Sequence, residues 1–266
     1  MFVLDRSALR TRNGLPYFEV PEWAKIDWIR HAFLTRNGGS SPPPFHSLNL
    51  STATGDSEEH LSENISVIAS AFHFEPEGLV LLHQEHRDRI LVLKGCGERY
   101  SSDSDYDAVL THSPDRILAI KTADCLPILV VDRVKKVIAA IHAGRQGTAL
   151  QITRKAIRRM GAEFGCFPKD LSVALGPSIG ACCYEIDEKV FLPEWESFAV
   201  PKKDGKWMID LAGINMDQMR KEGIREDQIS CIDLCTRCHP DLFFSYRGEG
   251  QTGRQLSFIG IKQTDK

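Results

Sequence analysis

Three short, almost wholly apolar segments, Ile117–Lys121, Pro127–Val131 and Val137–Ile141, follow one another with only brief turns between them. A strand with one face in water alternates apolar and polar residues, whereas a continuous β-rich run suits a strand covered on both faces. The sequence therefore predicts three strands in a sheet with further layers above and below it.

Around them, Leu79–Leu82 and Ile90–Leu93 read as short strands, and Leu171–Leu175 as another that runs into Gly176-Pro177-Ser178-Ile179-Gly180. Glu58–Phe72 reads as a helix, because Leu61, Ile65, Ile68, Ala69 and Phe72 recur at spacings of three and four. Ala149–Phe164 reads as an amphipathic helix with Ile152, Ala156, Ile157, Met160 and Phe164 on one face. Gly38–Pro44, rich in Gly, Ser and Pro, is expected to be a loop. Interleaved strands and helices give an α/β class, and their order repeats too irregularly for a Rossmann fold or a TIM barrel.

The 33 Lys and Arg against 36 Asp and Glu leave a net charge of −3, so no basic excess points to a nucleic-acid partner. No apolar run approaches the roughly 18–20 residues that span a bilayer, so no membrane partner is expected. The amino terminus lacks an apolar core followed by a small-residue cleavage site, which makes a cytoplasmic protein the expectation. Eight cysteines (96, 125, 166, 182, 183, 231, 235 and 238) are too sparse for a disulfide scaffold at 266 residues.

Three chemically capable residues lie at the ends of the expected strands: His83 after Leu79–Leu82, Cys125 before Pro127–Val131, and His142 closing Val137–Ile141. If the strand ends converge, one thiolate and two imidazoles make a three-ligand zinc site with a fourth position open to water or substrate. Packing or hydrogen bonding is the ordinary role of an isolated His or Cys at such a place. His86, three residues after His83, points away if the strand continues, so a surface position is expected for it.

Seven segments resemble one known family in order: HAFLTRNGG (His31–Gly39), SLNLS (Ser47–Ser51), HQEH (His83–His86), KTADCLPIL (Lys121–Leu129), IHAG (Ile141–Gly144), LGPSIGACCYE (Leu175–Glu185) and CTRCHPDLFFSYRGEGQTGR (Cys235–Arg254). The chain is thereby similar to the laccase-domain family, once labelled multicopper polyphenol oxidoreductases, which includes purine nucleoside phosphorylases and a bacterial peptidoglycan editing factor. The resemblance implies a layered single domain across residues 1–266, with central mixed β-sheets flanked by helices. It implies zinc, or in some members copper, held by the histidine of the HQ segment, the cysteine of TADCLP and the histidine of HAG, here His83, Cys125 and His142. It also implies purine nucleosides and phosphate as partners, with phosphorolysis of adenosine, inosine and guanosine, cleavage of methylthioadenosine, and deamination of adenosine. Where the family usually reads HAGWRG this chain has His142-Ala143-Gly144-Arg145-Gln146-Gly147, and it has Tyr246-Arg247-Gly248 where many relatives carry two arginines.

Phosphorolysis needs an anion clamp. Arg36, followed by glycines that let backbone approach a ligand, is the first candidate, with Arg247 and Arg254 after it. Asp124 can carry a proton, orient a ligand residue, or cap a turn. Cys235-Thr236-Arg237-Cys238-His239 spells a haem-attachment motif, but haem attachment belongs to exported proteins and the same stretch fits the family pattern. With Cys231 this pair suggests a structural zinc site that lacks a second well-spaced pair, and Cys182-Cys183 is read as core packing. A metal-free hydrolase using Cys125 and His142, and a cell-wall precursor editing or binding factor, are the alternatives to the phosphorylase. Copper oxidase chemistry is disfavoured, because one Cys and two His cannot assemble the several copper centres of four-electron oxygen reduction.

Overall fold

In the computed structural model, which describes residues 1–95, 98, 104–114 and 116–262, the expected strands belong to two large sheets stacked face to face. Cys96 lies outside the described residues. The seven-stranded sheet runs Phe2–Leu4, Ile229–Ile232, Leu171–Leu175, Leu126–Asp132, Val137–Ala143, Ala108–Thr111, Ile90–Leu93. The six-stranded sheet runs Leu9–Arg12, Leu15–Phe18, Ile29–Leu34, Gln255–Ile261, Ile117–Thr122, Leu79–Leu81. Both mix parallel and antiparallel pairs. A small antiparallel sheet of Glu185–Asp187, Lys206–Ile209 and Ala199–Pro201 stands beside them.

The side-chain alternation of strand Leu126–Asp132 shows why its sequence is apolar throughout. Leu129 and Val131 enter a core between the sheets with Ile138, Ala140, Phe33, Leu118, Ile120 and Ile259. Leu126, Ile128 and Val130 point the other way, against Ile152, Ala156 and Met160 of helix Ile152–Phe164 and Ile214 and Met219 of helix Leu211–Lys221. On the far side, Ala32, Leu34, Ala119 and Phe258 of the six-stranded sheet are covered by Ile68, Ala71 and Phe72 of helix Glu58–Phe72. The molecule is a helix/sheet/sheet/helix stack in one domain, as the continuous apolar runs require.

Helix Glu58–Phe72 begins where Ser57 accepts a hydrogen bond from His60 N–H and ends at His73 in the left-handed region. The expected helix Ala149–Phe164 is two pieces, Arg145–Ala149 and Ile152–Phe164, because Gln151 between them has φ 61° and cannot continue a right-handed helix.

Buried His31 joins the outer elements: its Nε2 accepts the Val20 N–H at 2.8 Å, and its ring meets Trp23 edge-on at 5.1 Å. Burial, helped by Lys262, brings its pKa from 6.5 down to about 3. The unfolded chain binds this proton below about 6.5 and the folded chain does not, so stability present at neutral pH is lost as pH falls. Each pH unit below that point costs about 1.4 kcal/mol from this group alone. Urea unfolding at pH 7, 6 and 5 is expected to show a shallower pH slope for His31→Gln than for wild type by roughly that amount. Parallel slopes would contradict this assignment.

Candidate metal centre

The turn between strands Leu79–Leu81 and Ile90–Leu93, the residue before strand Leu126–Asp132 and the end of strand Val137–Ala143 meet at one place. There the ligand atoms of His86, Cys125 and His142 all lie within 4.8 Å of one another, and the two imidazoles stand edge-to-face at 4.8 Å. His142 faces Pro127 across the ladder, which fixes its height relative to Cys125. Gly144 is tightly packed against the cluster: a Cβ there would sit 2.9 Å from His86 Cδ2 and 3.0 Å from Cys125 Sγ.

Asp107, fully buried at the start of strand Ala108–Thr111, holds the arrangement. Its Oδ1 accepts from His142 Nδ1 at 2.7 Å and from His86 N–H at 2.9 Å, and its Oδ2 accepts from Arg87 N–H at 2.7 Å. The bond to Nδ1 leaves the other ring nitrogen of His142 to face Cys125, the usual support of a metal-bound imidazole. His86 (φ 59°) and Asp124 (φ 86°) adopt left-handed backbone, uncommon for residues other than glycine and concentrated at functional places.

Burial pushes the Cys125 thiol up, but His142 and His86 outweigh it and bring it down to about 6. Burial lowers His142, yet the Cys125 thiolate and Asp107 raise it to about 9. Each group favours the charged form of the other: the Cys125 thiolate and Asp107 favour a protonated His142, and the His142 and His86 rings favour the thiolate of Cys125. One thiolate and two imidazoles, one of them oriented by a buried carboxylate, fit a metal ion with a position left for substrate.

The expectation that the His83 ring meets Cys125 and His142 is corrected: the imidazole beside them is that of His86. The strand ends at Leu81, and the next residues form a turn pinned by the Asp107 carboxylate and by Gln84, whose side-chain amide makes two 2.9 Å bonds with the Lys121 backbone. Strand alternation does not apply to a turn, and the left-handed His86 swings its ring inward. His83 lines the same cavity, with Nδ1 3.0 Å from Asp105 and 3.5 Å from Glu85, and is largely exposed.

Arg36 is also corrected. It is absent from the cavity wall, because its guanidinium is consumed by Glu249 at 2.5 Å, the carbonyls of Pro240 and His46, and the face of Phe244 at 4.5 Å. Asp124 does reach the wall, and its carboxylate accepts from Thr236 Oγ1, Ser245 Oγ and Arg247 N–H, each at 2.7 Å. It ties two loops to the strand that carries Cys125. Arg247 and Arg254 line the cavity, as do Lys121, Arg145, Gln146 and Tyr184. Arg145 thus brings a guanidinium from the position one before the family's usual arginine. Cys182 and Cys183 are not core residues: Cys182 is exposed, Cys183 only partly buried, and both face Cys235 and Cys238, whereas Cys231 is buried apart from them in strand Ile229–Ile232.

Fold and site together define a double-sheet α/β protein with a Cys–His–His cluster at the floor of a cavity of about 450 Å³. Residues 30–262 match the family described as multi-copper polyphenol oxidoreductase laccase, and the chain belongs to it. It is 31% identical over 261 residues to purine nucleoside phosphorylase YlmD of Bacillus subtilis, covering 92% of this chain and 94% of that one. It is 35% identical to a purine nucleoside phosphorylase of Bacteroides thetaiotaomicron, covering 96% and 98%. The crystal structure of the Bacillus licheniformis hypothetical protein YfiH superposes with a TM-score of 0.87 at 33% identity, covering 96% of this chain and 99% of that one.

Proposed function

We propose that this protein is a zinc-dependent purine nucleoside phosphorylase acting on adenosine, inosine, guanosine and methylthioadenosine, and that the same centre deaminates adenosine. The observation that carries the reading is electrostatic. Lys121, Arg145, Arg247 and Arg254 line one cavity with the Cys–His–His cluster, and among the described residues none of the four forms an ion pair with a carboxylate. Burial lowers the pKa of Lys121, with Arg254 adding to it, and burial likewise lowers that of Arg254. Lys121 and Arg254, partly desolvated, and Arg145 and Arg247 beside them outnumber the Asp124 carboxylate and the Cys125 thiol of the same wall, and that surplus of positive charge suits an incoming anion such as phosphate. The names of the relatives agree with that chemistry.

In phosphorolysis a phosphate oxygen bonds to the anomeric carbon as the bond from that carbon to the purine nitrogen breaks, giving ribose 1-phosphate and the free base. The guanidinium and ammonium groups hold the phosphate at the sugar, and the Tyr184 ring, buried apart from the part that lines the cavity and with Arg247 5.0 Å from its centre, offers an apolar surface to the base. His86, Cys125 and His142 would hold the zinc, which when bound supplies a Lewis acid and a water ionisable near neutral pH. Asp107 keeps His142 in the ring orientation this requires.

One observation favours a second reading. Cys125, His142 and Asp107 are ordered like a cysteine hydrolase triad, with the thiol lowered to about 6. That reading predicts turnover that survives chelation of zinc, needs no phosphate and is destroyed by thiol alkylation.

Incubation of zinc-loaded protein with inosine, with and without phosphate, tests the first. Chromatography is expected to show hypoxanthine only when phosphate is present, and Arg254→Gln is expected to raise the KM for phosphate about tenfold with little change in that for inosine. Equal release without phosphate would overturn phosphorolysis.

A further inference from the structure

Cys182 and Cys183 sit on the loop after strand Leu171–Leu175, and Cys235 and Cys238 on the loop after strand Ile229–Ile232. These parallel neighbours deliver both loops to the same edge of the seven-stranded sheet, where Ser178 bridges Cys235 and Thr236 N–H bonds to Ser178 O at 3.0 Å. All four sulfur atoms lie within 4.8 Å of one another. Cys238 Sγ is 3.6 Å from Cys182 Sγ and 3.4 Å from Cys183 Sγ.

We infer that these four cysteines form a second metal site, a closed tetrahedral zinc centre with a structural role, separate from the His86–Cys125–His142 cluster. With metal–sulfur bonds of about 2.3 Å, the sulfur–sulfur edges of a tetrahedron are about 3.8 Å. The sulfurs already stand near that spacing, so a cation can enter with small side-chain movements. The chain is shaped for it. Cys238 N–H returns to Cys235 O at 3.1 Å, closing a tight C-x-x-C turn, and Gly180 N–H donates to Cys235 Sγ at 3.3 Å, stabilising negative charge on that sulfur. A Cβ at Gly180 would stand 3.3 Å from Cys235 Cβ and 3.4 Å from Cys182 Sγ. Four thiolates and no imidazole or carboxylate select a soft or borderline ion, and filling all four positions leaves no place for substrate.

The consequence reaches the cavity. The loop with Cys182 and Cys183 continues at once into Tyr184, and the loop with Cys235 and Cys238 leads through Thr236 and Ser245, both bonded to Asp124, to Arg247. A metal joining the loops fixes the wall that presents Tyr184 and Arg247. This inference stands apart from the phosphorylase reading, since it concerns how the wall is held and not what enters.

Full-length Cys125→Ala, whose proposed cavity site lacks its thiolate, isolates the question. Purified without chelator under reducing conditions, it is expected to carry one zinc per chain by elemental analysis. Cobalt(II) exchanged for that zinc is expected to give the intense near-ultraviolet thiolate-to-metal absorption of a four-sulfur site. Adding Cys235→Ser is expected to remove the metal. Should that variant not fold, adding Cys182→Ser at an exposed position is expected to weaken the cobalt absorption by about a quarter, one thiolate of four. A folded Cys125→Ala chain that takes up neither zinc nor cobalt, with the four thiols reacting freely with a thiol reagent, would overturn the inference. So would a Cys182–Cys238 or Cys183–Cys238 disulfide found by peptide mapping and unaffected by zinc.

Discussion

Cys125→Ala is expected to abolish phosphate-dependent release of base from inosine and adenosine, with a loss of at least about a hundredfold, and to abolish adenosine deamination with it. The two imidazoles left behind are too few to hold a catalytic metal firmly, and the lost thiolate is the ligand whose charge most favours a cation. The substitution also removes the leading influence that raises His142. The His142 ring signal in a proton NMR titration should therefore move to lower pH, a response that a merely destabilised fold would not give. Stability should change little, since the sulfur is only partly buried at a cavity wall. Retained turnover with unchanged phosphate dependence would remove Cys125 from the mechanism.

The layers were readable because burial on both faces leaves a sequence trace. Strands Ile117–Thr122, Leu126–Asp132 and Val137–Ala143 differ from their expected bounds by one or two residues at the ends, since each apolar run marks a strand with a core on either side. Ala108–Thr111, equally buried, is only four residues long and too short for periodicity to separate from a loop. The three-stranded sheet at residues 185–209 mixes charged and apolar residues at an edge, and its pairing rests on long-range contacts that a local pattern does not encode.

At the site, the strand-end positions of Cys125 and His142 were legible because those strands were. His86 was lost to an assumption about direction: three residues beyond His83 reads as the opposite face only while the chain stays extended, and it turns instead. Asp107 escaped for want of its strand, although an acid placed directly before the apolar Ala108-Val109-Leu110 carries a signal, because a buried carboxylate needs several donors and here finds the His86 and Arg87 amides and the His142 ring. Arg36 carried the right chemistry for an anion, but nothing local reveals that Glu249, 213 residues away, already occupies it. The cysteine quartet joins two loops more than fifty residues apart, so Cys235 and Cys238 show the spacing of half a metal site while the adjacent Cys182-Cys183 that completes it shows none.

The central claim is that His86, Cys125 and His142 make a metal centre that supports phosphorolysis, and the most direct test separates the two neighbouring histidines. His86→Ala is expected to lose one zinc per chain and phosphate-dependent base release together, at least about a hundredfold, because its ring faces Cys125 and His142 within ligand distance. His83→Ala is expected to keep that zinc, because its Nδ1 faces Asp105 and Glu85, and to show at most a change in KM from its place on the cavity wall. Zinc analysis of both variants beside a chromatographic assay with and without phosphate decides it. Loss of metal and turnover in His83→Ala, with both intact in His86→Ala, would contradict the account.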